Sequence, residues 1–173
     1  MAHISPAVAK AIKMAIDLEK DGQKFFQDAA NKTENVLGKK MFKTLAKDEI
    51  RHLETFQKMF DTITGTGVWQ SIVKTIGAIG KVPVFEEISK KSPTKDSASD
   101  LGALRTALNI ERKAMEFFDK AIQETDDPLA KKIFGEIRKQ EEYHYDLIQA
   151  QFDYVTKSGF WFDIAEFRMD AKF

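Results

Sequence analysis

Cysteine is absent from the 173 residues of the chain. Its absence excludes disulfide bonds, iron–sulfur clusters and metal sites built from thiolates. The fold must therefore rest on packing, for which a composition with 43% hydrophobic residues is sufficient. A chain without cysteine fits a reducing compartment, and we expect a cytoplasmic location.

The chain also lacks an excess of either charge and lacks a long apolar run. The 27 Lys and Arg residues balance the 27 Asp and Glu residues, so neither nucleic acid nor an anionic membrane is favoured as a partner. No apolar run approaches the ~18 residues needed to span a bilayer. The first residues do not resemble a signal peptide. We therefore expect a soluble globular protein with no nucleic-acid partner and no membrane partner.

Apolar residues recur at spacings of three and four along four stretches, which predicts four amphipathic helices. Prolines at Pro6 and Pro128 suit the first turns of two of them. The second helix is expected to end near Asp61, where β-branched residues and glycine follow. Candidate residues for capping or ending the helices are Ser5, Thr33 or Asn35, Ser97 or Ser99, Asp127 and Gly159.

The predicted organisation is a single domain over residues 1–173. Its parts are a first hairpin (5–61), a crossover connection (62–97), a second hairpin (98–158) and an aromatic tail (159–173). Trp69 and Trp161 lie on apolar segments outside the hairpins and are expected to be at least partly buried. Because exposed apolar segments often form contacts, the connection and the tail are candidates for a homodimer interface.

The two hairpins are repeats of each other. Residues 11–60 align with residues 103–152 without a gap, and 16 of the 50 aligned positions are identical. Two hairpins with apolar faces bury each other, so the repeat predicts an all-α four-helix bundle with pseudo-twofold symmetry.

Six ionisable residues lie on the apolar stripes at matching places in the two repeats. Each repeat contains one glutamate on its first helix and a glutamate and a histidine, three positions apart, on its second. Residues at i and i+3 share one helix face, so each pair can direct a carboxylate and an imidazole to one point. The six residues are Glu19, Glu49, His52, Glu111, Glu141 and His144.

Four carboxylates in a bundle core require compensation, because an unpaired buried carboxylate costs several kcal/mol. Two divalent cations would balance four carboxylates, and oxygen ligands with one imidazole per ion suit iron or manganese. A single buried Glu or His is more often a hydrogen-bonded core residue. Six of them at matching positions favour a di-metal site in which two carboxylates bridge the ions.

At these residues the chain resembles the rubrerythrin branch of the ferritin-like diiron-carboxylate proteins. The resemblance is strongest at residues 15–19, 25–26 and 45–52 and covers roughly residues 5–158. It implies a ferritin-like bundle with the six residues as ligands of two iron ions, for which manganese or zinc could substitute. It also implies reduction of hydrogen peroxide, or reaction with dioxygen, as an oxidoreductase.

The sequence departs from the family pattern at three points. The four-cysteine rubredoxin site of rubrerythrins is absent, so electrons would come from a separate donor protein. A family ligand Glu one turn after the third-helix Glu is replaced by Ala114, whose repeat mate is Gly22. A family tyrosine is replaced by Phe26 and by Phe118. Two other functions are consistent with the sequence, namely a ferroxidase or iron-handling protein and a non-enzymatic metal-binding protein.

Overall fold

A computed structural model describes residues 6–64 and 100–164, which form four helices. They are α1 (Pro6–Lys32), α2 (Val36–Thr64), α3 (Asp100–Glu124) and α4 (Pro128–Ser158). Among the described helices none combines the length and the apolarity that crossing a bilayer requires. The predicted crossover beyond Thr64, with Trp69, and the tail beyond residue 164 lie outside the described residues.

The helix ends follow from local hydrogen bonding. Asn35 caps α2, since its Oδ1 accepts from the N–H groups of Leu37 at 2.9 Å and Gly38 at 3.2 Å. The other candidate, Thr33, instead donates its hydroxyl proton to Asp100 at the start of α3. The helix continues to Thr64, beyond the end that the sequence predicts near Asp61.

The ends of α4 match the sequence prediction. Asp127 Oδ1 accepts from the N–H groups of Leu129 at 2.9 Å and Ala130 at 2.8 Å, and Pro128 occupies the first turn. At the other end Gly159 has φ of 76°, a left-handed conformation that glycine adopts without a steric cost. Its N–H donates to the carbonyl of Val155 at 2.9 Å.

In the described part of the chain the core consists of two apolar clusters, one at each end of the bundle. The first cluster joins the N-terminal halves of α1 and α4 to the C-terminal halves of α2 and α3, and its largest members are Phe56, Phe118 and Phe134. The second cluster joins the opposite halves and includes Phe26 and Phe42. The helices α2 and α3 therefore run in the same direction.

The apolar spacing of the sequence predicts a buried stripe on α3 that consists of Leu104, Leu108, Glu111, Met115, Phe118 and Ile122. Leu104, Glu111 and Phe118 are buried as predicted, whereas Leu108 and Met115 are only half-buried. Alanines occupy the adjacent positions of the buried face, namely Ala107, Ala114 and Ala121. Together with Ile110 they complete the buried face, so Leu108 and Met115 lie at its flanks.

The described part of the tail packs against the second cluster. Trp161 is buried, as its apolar segment predicts, and its ring meets Phe42 edge to face at a centroid distance of 6.1 Å. The buried amide of Gln151 pairs with the backbone of Phe162, since Nε2 donates to its carbonyl and Oε1 accepts from its N–H, both at 3.2 Å. These contacts fix the start of the tail on α2 and α4.

A methyl group at Gly38 should loosen this contact. A Cβ there would lie 2.9 Å from two carbons of the Trp161 ring, so we expect Gly38→Ala to lower the free energy of unfolding by about 1–3 kcal/mol through overpacking. Urea unfolding and near-ultraviolet circular dichroism measure the effect.

The matched control is Gly135→Ala on α4. A Cβ at Gly135 meets nothing within 4 Å, so this change should raise stability by up to about 1 kcal/mol through helix propensity. Equal effects of the two substitutions would show that Trp161 does not depend on Gly38.

Candidate metal centre

The six ionisable residues of the apolar stripes lie together in the middle of the bundle. In each helix they occur between the residues of the first cluster and those of the second. Each is at most 4% exposed. The structure therefore brings together the whole set that the sequence predicts, namely Glu19, Glu49, His52, Glu111, Glu141 and His144.

The imidazole of His52 directs its two nitrogens to different surroundings. Nδ1 lies 2.9 Å from Glu19 Oε2 and 3.0 Å from Glu141 Oε1. On the opposite side of the ring, Nε2 lies 3.1 Å from Gln140 Oε1. Nδ1 therefore faces the carboxylate layer, and Nε2 faces an outer polar group.

His144 has the same orientation on the other side of the layer. Its Nδ1 lies 3.4 Å from Glu141, 3.6 Å from Glu111 and 3.8 Å from Glu49. Its Nε2 lies 3.5 Å from Asp48 Oδ2. The two imidazole rings stack with centroids 5.6 Å apart, so both can present Nδ1 to one shared space.

The potential ligand atoms form two overlapping groups that could each hold a metal ion. One group consists of Glu19, Glu49, His52 and Glu141, and the other of Glu49, Glu111, Glu141 and His144. Within each group the ligand atoms lie within 4.8 Å of one another. The glutamates Glu49 and Glu141 belong to both groups, which is the arrangement that bridging carboxylates require.

Several polar atoms of this layer have no hydrogen-bond partner within the described residues. They are Glu19 Oε1, Glu111 Oε1, Glu141 Oε1 and His144 Nδ1; Glu141 Oε1 and His144 Nδ1 lie within ion-pair distance of a neighbour but not in well-aligned hydrogen-bond geometry. Unpaired polar atoms are rare in protein interiors because each costs roughly 1–3 kcal/mol. Carboxylate oxygens and an imidazole nitrogen are donors that iron and manganese accept. The residues thus fit a two-metal centre.

Burial dominates the protonation of three of the glutamates. Desolvation raises the pKa of Glu19, Glu49 and Glu111 well above its ordinary value, and the charge on Glu141 raises each of them further. Burial would also raise the pKa of Glu141, but hydrogen bonds and charge from His144 and His52 lower it overall. In the metal-free protein Glu141 is therefore the most readily ionised carboxylate of the layer.

The pKa values of the two imidazoles are also raised, but by neighbouring charge and not by burial. Burial lowers the pKa of His52 and His144, but neighbouring carboxylates outweigh it and raise each to about 9. For His52 the main partner is Glu141. For His144 the main partners are Asp48 and Glu141. Without metal the layer therefore retains protons at neutral pH on groups that metal binding would deprotonate.

Small residues lie one turn after the lone glutamates of α1 and α3. A Cβ at Gly22 would lie 3.1 Å from Glu49 Oε2, so the space beside Gly22 is filled by the Glu49 carboxylate. Its repeat mate Ala114 is buried in the first cluster. The missing methyl group at residue 22 thus allows Glu49 to approach α1.

Two residues that contact the imidazoles are not predicted by the sequence pattern. Asp48 and Gln140 each precede a glutamate of the layer and lie off the apolar stripe. The signal that could have found them is the repeat, because they are mates at the same offset of 92 residues that relates the six.

Comparison with protein families identifies the chain. The rubrerythrin family model matches residues 10–151, which include all six residues of the layer. The chain belongs to the rubrerythrin family. A rubredoxin-type iron site is built from cysteines, and this chain has none. A search of curated protein sequences gave no match.

Solved structures show the same fold at low sequence identity. A two-domain protein from Anabaena variabilis, with DJ-1/ThiJ/PfpI-like and ferritin-like domains, is 16% identical with a TM-score of 0.61, over 87% of this chain and 37% of that one. A hypothetical protein from Pyrococcus furiosus is 16% identical with a TM-score of 0.62, over 87% of this chain and 90% of that one. The bundle of this rubrerythrin-family chain is ferritin-like.

The metal-free protein should become less stable as the pH rises. A group whose pKa is higher in the folded state stabilises the fold at low pH, and that contribution is lost as pH rises through the folded value. The raised pKa values of three glutamates and of His52 and His144 all act in this direction. The melting temperature of metal-free protein should therefore fall between about pH 6 and 9.

Protein loaded with a divalent ion should melt higher at pH 7, and its advantage should narrow towards pH 5 as protons compete for the ligands. Glu141 has a lowered pKa and is already ionised above pH 6, so it adds no slope there. Differential scanning calorimetry at several pH values measures both forms. Equal melting temperatures at pH 7 would contradict a buried centre.

Substitution of shared and unshared ligands should have different consequences. Glu49 belongs to both groups and Glu19 to one. We therefore expect Glu49→Gln to lower the affinity for both ions, and Glu19→Gln to lower the affinity for one ion. Each affinity that is affected should fall at least about tenfold. Calorimetric titration of metal-free protein with Zn²⁺ measures both steps.

The control is Glu54→Gln, which removes the same charge from an exposed position of α2 and should leave both steps unchanged. One ion per wild-type chain, or identical losses for Glu49→Gln and Glu19→Gln, would be inconsistent with bridging.

Proposed function

We propose that this rubrerythrin-family chain is a diiron oxidoreductase that reduces hydrogen peroxide. The observation that supports it best is the pair of overlapping ligand groups that share Glu49 and Glu141. Two ferrous ions bound there would supply the two electrons that, with two protons, convert hydrogen peroxide into two molecules of water. Each ion would have one imidazole, one terminal glutamate and the two shared glutamates.

The residues of the layer hold charge and exclude water. The four carboxylates balance the charge of two divalent ions, and the clusters on both sides remove bulk solvent from the layer. Because the attraction between opposite charges is stronger where water is excluded, the four carboxylates would retain ions whose charge increases. Retention favours a redox cycle over storage, since a storage protein must pass its iron onwards.

Electrons and partners are inferred from what the sequence lacks. A rubredoxin-type iron site needs cysteines, and the chain has none, so a separate electron-donor protein is part of the proposal. A cytoplasmic location is also part of the proposal, because a chain without cysteine fits a reducing compartment. A homodimer is also proposed, because Val36 and Phe160 are large apolar residues that are 78% and 72% exposed.

Peroxide and dioxygen should react at different rates with the diferrous protein. Anaerobic protein loaded with two Fe²⁺ per chain is mixed with either oxidant in a stopped-flow instrument, and the absorbance of ferric iron is followed. We expect oxidation by hydrogen peroxide to be at least about tenfold faster, since a retained ion pair supplies both electrons at once. Repeated turnover should follow when a reductant is added.

The alternative functions predict other outcomes. Uptake of tens of irons per chain with mineral formation, and no preference for peroxide, would establish iron storage. Two bound ions that react slowly with both oxidants would indicate a metal-binding protein without this activity. Glu49→Gln protein serves as the control because it lacks a shared ligand and should lose the fast phase.

A further inference from the structure

The two imidazoles of the layer have different outer partners. Behind His144, the carboxylate oxygen Oδ2 of Asp48 lies 3.5 Å from Nε2. Behind His52, the amide oxygen Oε1 of Gln140 lies 3.1 Å from Nε2. Asp48 and Gln140 occupy equivalent positions of the repeat. The same position therefore presents an anion to one imidazole and a neutral acceptor to the other.

We propose that this difference makes the two metal positions unequal, and that the position formed by Glu111 and His144 binds the first divalent ion. The inference rests on the two-metal centre proposed above. Asp48 acts through the imidazole and is a positioning residue, not a ligand.

The physical reason is the proton on the outer nitrogen. An imidazole that binds a metal through Nδ1 must keep its proton on Nε2, and an acceptor behind Nε2 fixes that tautomer. An anionic acceptor also attracts the positive charge that develops on the ring, which makes Nδ1 a stronger donor. A neutral amide fixes the tautomer of His52 but adds no charge.

The longer distance from Asp48 to His144 does not cancel the advantage of its charge over the neutral Gln140. Charge–charge attraction varies as the inverse of distance, so 3.5 Å instead of 3.1 Å weakens it by only about a tenth. Solvent favours the same order, because the Asp48 side chain is 19% exposed whereas Gln140 is an exposed residue. Water therefore competes more strongly for the Gln140 contact and screens the Asp48 contact less.

Asp48 has a second partner that must be separated from the first. Its Oδ1 pairs with Arg51, one turn further along α2, and the Arg51 side chain is 72% exposed. An exposed ion pair of this kind contributes little. If Asp48 served only that pair, removing Arg51 would have the same effect on metal binding as removing Asp48.

Zinc titration followed by NMR reports on the two positions separately. Zn²⁺ is diamagnetic and redox-inactive, so the imidazole signals of His52 and His144 remain observable at each step. The third histidine, His3, is replaced by Gln to simplify the spectrum. The His144 signals should change during the first equivalent of Zn²⁺, and the His52 signals during the second.

Variants of Asp48 and Gln140 test whether the charge behind the imidazole causes the order of binding. Asp48→Asn keeps the shape and removes the charge, and it should lower the affinity of the first step roughly 10- to 100-fold. The exchange variant Asp48→Gln with Gln140→Asp should reverse the order, so that His52 responds first. Arg51→Gln and Asp146→Asn, the latter at an exposed position of α4, are controls that should leave the order unchanged.

The outcomes separate this inference from the proposed function. Simultaneous changes at both imidazoles, or His52 responding first in the wild type, would overturn the inference and leave a two-metal centre intact. An effect of Arg51→Gln equal to that of Asp48→Asn would also overturn it. Fewer than two Zn²⁺ ions per chain would contradict both. If the exchange variant does not fold, Asp48→Asn still decides between these outcomes.

Discussion

The need to neutralise four carboxylates in a layer without bulk water is the constraint on which the rest of the structure depends. Apolar clusters lie on both sides of the layer, and each of the six residues is almost fully buried. Solvent cannot compensate such charges, so protons or cations within the layer must do so. Without a cation, burial raises the pKa of the other three glutamates, whereas the two imidazoles lower the pKa of Glu141, which favours protons on the three and charge on Glu141.

The repeat is symmetric in its six candidate ligands and asymmetric in their surroundings. Glu141 lies near both imidazoles, at 3.0 Å from His52 and 3.4 Å from His144. Its mate Glu49 lies 3.8 Å from His144 and is directed towards Gly22. Equivalent glutamates therefore have pKa values shifted in opposite directions. Small differences around equivalent residues thus give the two halves different electrostatics.

The bundle and the six residues of the layer could be predicted from the sequence because helical spacing and the repeat constrain them independently. The pairs three apart on α2 and α4 define a face, and the offset of 92 residues relates the two faces. The choice of Asn35 over Thr33 as a cap could not be predicted, because it depends on where α3 begins. On α3 the predicted stripe left out the buried Ala107, Ala114 and Ala121, since alanine gives a weak hydrophobic signal.

The outer partners were missed for a different reason. Asp48 and Gln140 lie beside the stripe, where polar residues are ordinarily exposed. The imidazole that each contacts belongs to the other hairpin, and only the packing of the two hairpins determines that pairing. The spacing of apolar residues describes one helix at a time, so it cannot show which imidazole each residue contacts.

These crossed contacts have the pattern of an isologous interface within one chain. Residue 48 of the first hairpin meets residue 144 of the second, and residue 140 of the second meets residue 52 of the first. In a symmetric homodimer, contact of i with j implies contact of j with i across the axis. The present chain has the geometry of a homodimer of hairpins joined into one polypeptide. Within one polypeptide the two equivalent positions can differ, as Asp48 and Gln140 do, whereas identical subunits must carry the same residue at both.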